Sequence, residues 1–132
     1  MCGFSGFIDL KARFTEPELS RMAGTMAATL EHRGPDDAGT WAEAPAGVAF
    51  GFRRLSIVDL SRAGHQPMVS TDGQGIIVFN GEVYNAARIR PELERLGRNF
   101  RGHSDTEVVL EACRVWGLGA TVSRFVGMFS FA

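Results

Sequence analysis

Apolar positions recur along this chain at two periods, and the change from one to the other lays out its elements before any chemistry is considered. Cys2-Gly3-Phe4-Ser5-Gly6-Phe7-Ile8-Asp9 interleaves apolar and small residues and predicts a strand that starts at the terminus, so that its first residue is held in place. Leu19, Met22, Ala23, Met26 and Leu30 then share one helical face. Thr15 followed by Glu18 forms a capping box, and together these predict a helix from about Glu16 to Glu31. Arg33-Gly34-Pro35-Asp36 ends it, with Gly34 read as a left-handed cap and Pro35 unable to continue the ladder.

Two strand-like runs follow, Gly39 to Glu43 and Val48 to Ile57, and the turn-prone Ala44-Pro45-Ala46-Gly47 between them predicts a hairpin. After a polar loop around Gly64-His65-Gln66-Pro67 and the turn Thr71-Asp72-Gly73, Ile76 to Phe79 forms a continuous apolar run, the pattern of a central strand covered on both faces. Asn80-Gly81 is read as its abrupt stop. A helix near Ala87 to Leu96 carries Pro91, which either begins the helix proper or kinks it, and Gly97 closes it. Ser104 with Glu107 repeats the capping box, and Val109, Ala112, Cys113 and Trp116 give the next helix an apolar face that ends at Gly117. A short helix around Ala120 to Phe125 precedes a last strand, Gly127 to Ala132.

Charge and composition narrow the function classes. In 132 residues, 14 Lys and Arg against 15 Asp and Glu leave a net charge of -1, so no overall field favours nucleic acid or an anionic membrane. No apolar run reaches the roughly 20 residues that span a bilayer, and no basic-then-apolar leader opens the chain; a cytoplasmic location is the default expectation. His32, His65 and His103 lack the spacing of ligands on one helix face, so no metal site is expected. Cys113 belongs to an apolar helix face and is expected to pack.

Cys2 stands apart because of its position. Its small side chain permits removal of Met1, which leaves a free amine beside the thiol. An α-amine has a reference pKa near ~7.7 against ~10.4 for lysine, so nucleophile and base can share one residue. By residue type alone Cys2 is more readily an incidental small hydrophobe, and Asn80-Gly81 more readily a hairpin turn.

Met1-Cys2-Gly3, Arg53-Arg54-Leu55-Ser56-Ile57-Val58-Asp59, Asn80-Gly81-Glu82-Val83-Tyr84-Asn85 and Ser104-Asp105-Thr106-Glu107 occur together and in order, with His32-Arg33-Gly34-Pro35-Asp36 and Gly127-Met128-Phe129 besides. This set resembles the N-terminal-nucleophile (Ntn) glutaminase domain, the class II glutamine amidotransferase portion, of glutamine-hydrolysing asparagine synthetases, over essentially the whole chain. The resemblance implies an α+β fold, a four-layer α/β/β/α sandwich of two antiparallel sheets flanked by helices. It also implies that residues 1–132 form an incomplete amidotransferase domain, which continues past Met128-Phe129 and is followed by an ATP-dependent synthetase domain.

By the same resemblance, Cys2 attacks the side-chain amide of L-glutamine, while the Asn80 side chain and the Gly81 N–H stabilise the oxyanion. Arg54, rather than Arg53, would clamp the substrate α-carboxylate, since a planar guanidinium bonds both oxygens. Glu82 and Asp105 would receive the α-ammonium; Asp105 is also a first-turn acid that complements a helix dipole. Ile57 and Val58 would supply main-chain groups and walls. No base role is given to His103 or His32. The glutaminase step is expected to need no cofactor, with ATP and Mg2+ confined to the synthetase domain that receives the ammonia. A homodimer of the full-length enzyme and no nucleic-acid or membrane partner are expected. The rivals are the same glutaminase serving a polysaccharide- or peptide-pathway acceptor, and a catalytically silent fragment.

Overall fold

The computed structural model describes residues 2–57 and 61–132. They divide into two compact units, a first that ends at Ile57 and takes back His65–Pro67, and a second built on Met68–Ala132.

In the first unit β1 (Gly3–Ile8), β2 (Asp37–Glu43) and β3 (Val48–Arg54) form an antiparallel sheet in the order β1-β3-β2. The predicted hairpin is β2–β3, turning at Ala44–Gly47. β1 pairs with β3 from Gly3 opposite Arg53 to Ile8 opposite Val48, so the start of the chain lies beside the end of β3. Helix α1 (Glu16–Ala28) packs on this sheet through Leu19, Ala23 and Ala27, all buried. The seam depends on small residues: a side chain at Gly51 would put its Cβ 2.3 Å from the Ala23 carbonyl oxygen.

Two expectations need correction here. The helix stops at Ala28, not near Glu31, and a short 3-10 turn covers Glu31–Arg33. Gly34 has φ -153°, so it is extended and not a left-handed cap. Glycine is required there because a Cβ would fall 2.5 Å from the Arg53 carbonyl carbon and oxygen.

The second unit holds β4 (Met68–Val69) paired with β5 (Ile76–Ile77), and β6 (Phe79–Val83) paired with β7 (Gly127–Phe131), both antiparallel. The run Ile76–Phe79 is therefore not one continuous strand. It breaks at Val78, whose N–H and carbonyl bond Ala132 at 3.1 Å each. Nor does Asn80-Gly81 end a strand: both residues lie inside β6, opposite Ser130 and Phe129. Glycine is needed at 81 because φ is 149° and a Cβ would fall 2.2 Å from the Met128 carbonyl oxygen.

Helix α2 (Ala86–Arg95) contains Pro91 in its interior, and Gly97 closes it with φ 84°. Helix α3 (Asp105–Trp116) is the spine of this unit. Val109 and Leu110 join Met68, Ile77, Phe79 and Val83 in one apolar cluster, while Val108 and Ala112 meet Ile89 and Leu93 in another. Cys113 packs against the first cluster, and burial pushes its thiol above the usual range, in line with a packing role. Helix α4 (Leu118–Val122) leads to β7.

α3 buries more than one apolar stripe, since Glu107 and Glu111 are buried too. Ser104 caps the helix by accepting from Glu107 N–H at 3.3 Å. The Glu107 carboxylate turns to the preceding loop, accepting from Arg101 N–H at 2.8 Å and Gly102 N–H at 2.9 Å. Glu111 accepts from Arg98 Nε at 2.5 Å, and its other oxygen has no hydrogen-bond partner among the described residues.

Candidate active site

The expected site residues fall into two groups, one in each unit. In the first, Cys2 stands one residue ahead of the β1–β3 ladder and is half-buried. Its carbonyl accepts from Arg33 Nε at 3.3 Å. Its sulfur is bracketed by Leu55, whose N–H donates to Sγ at 3.4 Å and whose carbonyl lies 3.5 Å away as acceptor for the thiol proton. Because Leu55 directly follows β3, the antiparallel register that pairs Gly3 with Arg53 brings the thiol to this point.

Arg54, the last residue of β3, is buried at 8% exposure, an expensive place for a guanidinium that did nothing. Arg53 is committed elsewhere: its Nε donates to the Gly34 carbonyl at 3.1 Å and its guanidinium pairs with Glu31 at 3.2 Å. Ile57 is exposed, 70% accessible, and Val58 lies outside the described residues.

In the second unit Asn80, Gly81 and Glu82 follow one another on β6, and their neighbour Val83 donates its N–H to Asp105 Oδ2 at 2.9 Å. Asp105 is thereby fixed at the first turn of α3 and to the end of β6 at once. Burial raises its carboxyl above the usual carboxylate range, and the charge of Glu82 adds to the rise, against the lowering by N–H groups of Val83 and of α3's own start. The charge of Glu82 is the smallest of these influences, and a cation beside Asp105 would favour its ionised form. Asn85, from the same sequence motif, is a brace. Its side chain accepts from Val126 N–H and donates to the Arg124 carbonyl, both at 2.9 Å.

Residue-by-residue reading missed Asp36. Its N–H donates to the Arg54 carbonyl at 3.0 Å and its Oδ2 accepts from Ser56 N–H at 2.8 Å, so it holds both sides of Leu55. His32 and His103 are exposed. Among the described residues no three His, Cys, Asp or Glu side chains gather as a metal site would need, and no helix is long and apolar enough to cross a membrane.

Residues 1–132 match the glutamine amidotransferase domain family. The chain is 40% identical over 131 residues to asparagine synthetase (glutamine-hydrolyzing) 1 of Bacillus subtilis, covering 99% of this chain and 20% of that protein. With asparagine synthetase (glutamine-hydrolyzing) 3 of the same organism it shares 38% identity over 134 residues, 100% of this chain and 21% of the relative. It therefore spans about a fifth of the length of these curated relatives. Among solved structures it is similar to glutamine phosphoribosylpyrophosphate amidotransferase from B. subtilis, with a TM-score of 0.76 at 20% identity over 99% of this chain and 34% of that one. That likeness shows the fold, an α+β architecture with antiparallel sheets and helices, as expected from the sequence.

Proposed function

We propose, from the premise that this chain belongs to the glutamine amidotransferase domain family, that it hydrolyses the side-chain amide of L-glutamine with Cys2 as nucleophile. The observation that carries the reading is the Cys2 thiol, held at the head of β1 by the peptide groups around Leu55 in a chain that matches the family from end to end.

With Met1 removed, the α-amine of Cys2 takes the thiol proton and the sulfur adds to the glutamine amide carbon. Negative charge gathers on the amide oxygen, where the Asn80 NH₂ and the Gly81 N–H are the donors. Each such donor is worth about 3 kcal/mol of barrier. Collapse breaks the C–N bond, the amine returns its proton to the departing nitrogen, and ammonia leaves. Water then adds to the thioester, glutamate departs and the thiol is regenerated. Arg54 holds the substrate α-carboxylate; Glu82 and Asp105 hold the α-ammonium and select an amino acid over a simple amide. By resemblance to the family, Ile57 would add main-chain groups and a wall to the pocket.

The released ammonia is passed to a synthetase portion that amidates aspartate with consumption of ATP, a reading supported by the names of the relatives. ATP and Mg2+ belong to that portion, and the glutaminase step uses neither. The test is glutamate release from glutamine by purified protein carrying this chain. It should disappear in Cys2→Ala with the fold intact; hydrolysis that persists sinks the assignment.

A further inference from the structure

Two successive peptide groups run between Asp36 and the Cys2 sulfur. The first joins Arg54 to Leu55: its carbonyl accepts from Asp36 N–H at 3.0 Å, and its N–H donates to Cys2 Sγ at 3.4 Å. The second joins Leu55 to Ser56: its N–H donates to Asp36 Oδ2 at 2.8 Å, and its carbonyl receives the Cys2 thiol proton at 3.5 Å. One residue therefore grips the far end of both peptides that touch the sulfur. Gly34 allows this closeness, because any side chain there would collide with the Arg53 carbonyl.

The pairing suits a thiol that must gain and lose a proton. As a thiol it donates to the Leu55 carbonyl; as a thiolate it accepts from the Leu55 N–H. Sulfur keeps a hydrogen bond to the same residue in either state, so proton transfer to the amine does not release it. Hydrogen bonds in series also polarise one another, which strengthens the bonds at the sulfur when the outer ends are occupied.

We propose that Asp36 is a positioning residue for the nucleophile, acting on the Cys2 thiol through the two peptide groups that flank Leu55. The inference rests on the glutaminase reading and adds to it a residue with no contact to the substrate.

The experiment compares wild type, Asp36→Ala, Asp36→Asn and Cys2→Ala in the purified enzyme. Glutamine hydrolysis is expressed per thiol that reacts with iodoacetamide at Cys2, read by peptide mass mapping, so that misfolded molecules are not counted. Asp36→Ala should lower kcat about tenfold and leave KM for glutamine within twofold, because it disturbs the attacking atom and not the binding groups. Asp36→Asn keeps an acceptor oxygen for Ser56 and should recover kcat to within about threefold of wild type.

A wild-type kcat in Asp36→Ala, or a loss in Asp36→Asn as deep as in Asp36→Ala, overturns the inference while leaving the glutaminase reading intact. An absence of Cys2-dependent hydrolysis in wild type defeats that reading instead. Alkylation then still decides the positioning role, since the Asp36→Ala thiolate loses its fixed donor and should react at least threefold more slowly; an equal rate refutes it. If Asp36→Ala does not accumulate folded, Asp36→Glu takes its place. That variant moves the acceptor by one methylene, and an unchanged kcat overturns the proposal.

Discussion

Replacing Asp105 by Asn should move stability and catalysis in opposite directions. The substitution keeps an oxygen where Oδ2 accepts from Val83 N–H at 2.9 Å and removes the charge. Burial is the largest influence on this carboxyl and penalises its ionised form, with Glu82 repulsion added, so the folded side chain titrates above its ordinary 3.8. Below that value it is protonated whether the chain is folded or not, and Asn has no advantage. Through the interval above it the folded state retains a proton that the unfolded state has lost. Stability therefore falls as pH rises, and past the folded titration the full cost remains. Asn carries no such cost, so the Tm advantage of Asp105→Asn should open from about pH 4 and widen as pH rises through the folded titration.

Catalysis should suffer from the same change. A hydrogen bond to a charged partner is worth about 1.5–3 kcal/mol, which corresponds to a loss of about tenfold to 150-fold in kcat/KM for glutamine. The α-ammonium is held equally in ground and transition states, so the loss should appear in KM with kcat little changed. With Glu82 still present, the lower end of the range is expected. Thermal scans over pH 4 to 8 and steady-state glutaminase kinetics check both halves. A variant less stable than wild type at pH 7, or one with an unchanged KM, refutes the reasoning.

Gly81→Ala should cost about 1–3 kcal/mol by overpacking, because its Cβ has 2.2 Å to the Met128 carbonyl oxygen and φ 149° disfavours any side chain. It should abolish hydrolysis even where the protein stays folded, as measured by circular dichroism beside the activity assay. Arg98→Met should be the more severe in stability, about 3 kcal/mol, since it strips a buried Glu111 of its ion-pair partner. Denaturant titration should show part of that loss restored when Glu111→Gln is added, and no restoration would argue against a buried-charge origin.

Much of the element order was legible because it rests on residue types. Thr15 and Glu18 announce α1, with the Glu18 carboxylate accepting from Thr15 N–H at 2.8 Å, and the small residues of 44–47 announce the β2–β3 turn. The errors came where main-chain geometry overrode a local preference. Asn-Gly favours a hairpin turn, yet in β6 it is paired to β7 some 50 residues later, a partner that no local pattern reveals. Gly34 and Gly81 are both needed for close approach to a distant backbone, and a sequence shows only that a glycine is present. The same limit hid the surroundings of Cys2. Leu55 acts through its N–H and carbonyl, which every residue but proline owns, so its side chain leaves no sign of that role. Arg54 could be picked from the Arg53-Arg54 pair only by resemblance, because the two residues are chemically identical and a sequence does not show that Arg53 meets Glu31 and the Gly34 carbonyl.

In its three-stranded sheet β1 is a marginal strand, with β3 between it and β2, and its ladder begins at Gly3. Every pairing in that sheet is therefore available before the residue at position two has a free amine. Under the proposed glutaminase reading, assembly and activation are therefore separable in time: the ladder of the described residues is complete from Gly3 onward, so the amine of Cys2 can be freed after the sheet has formed.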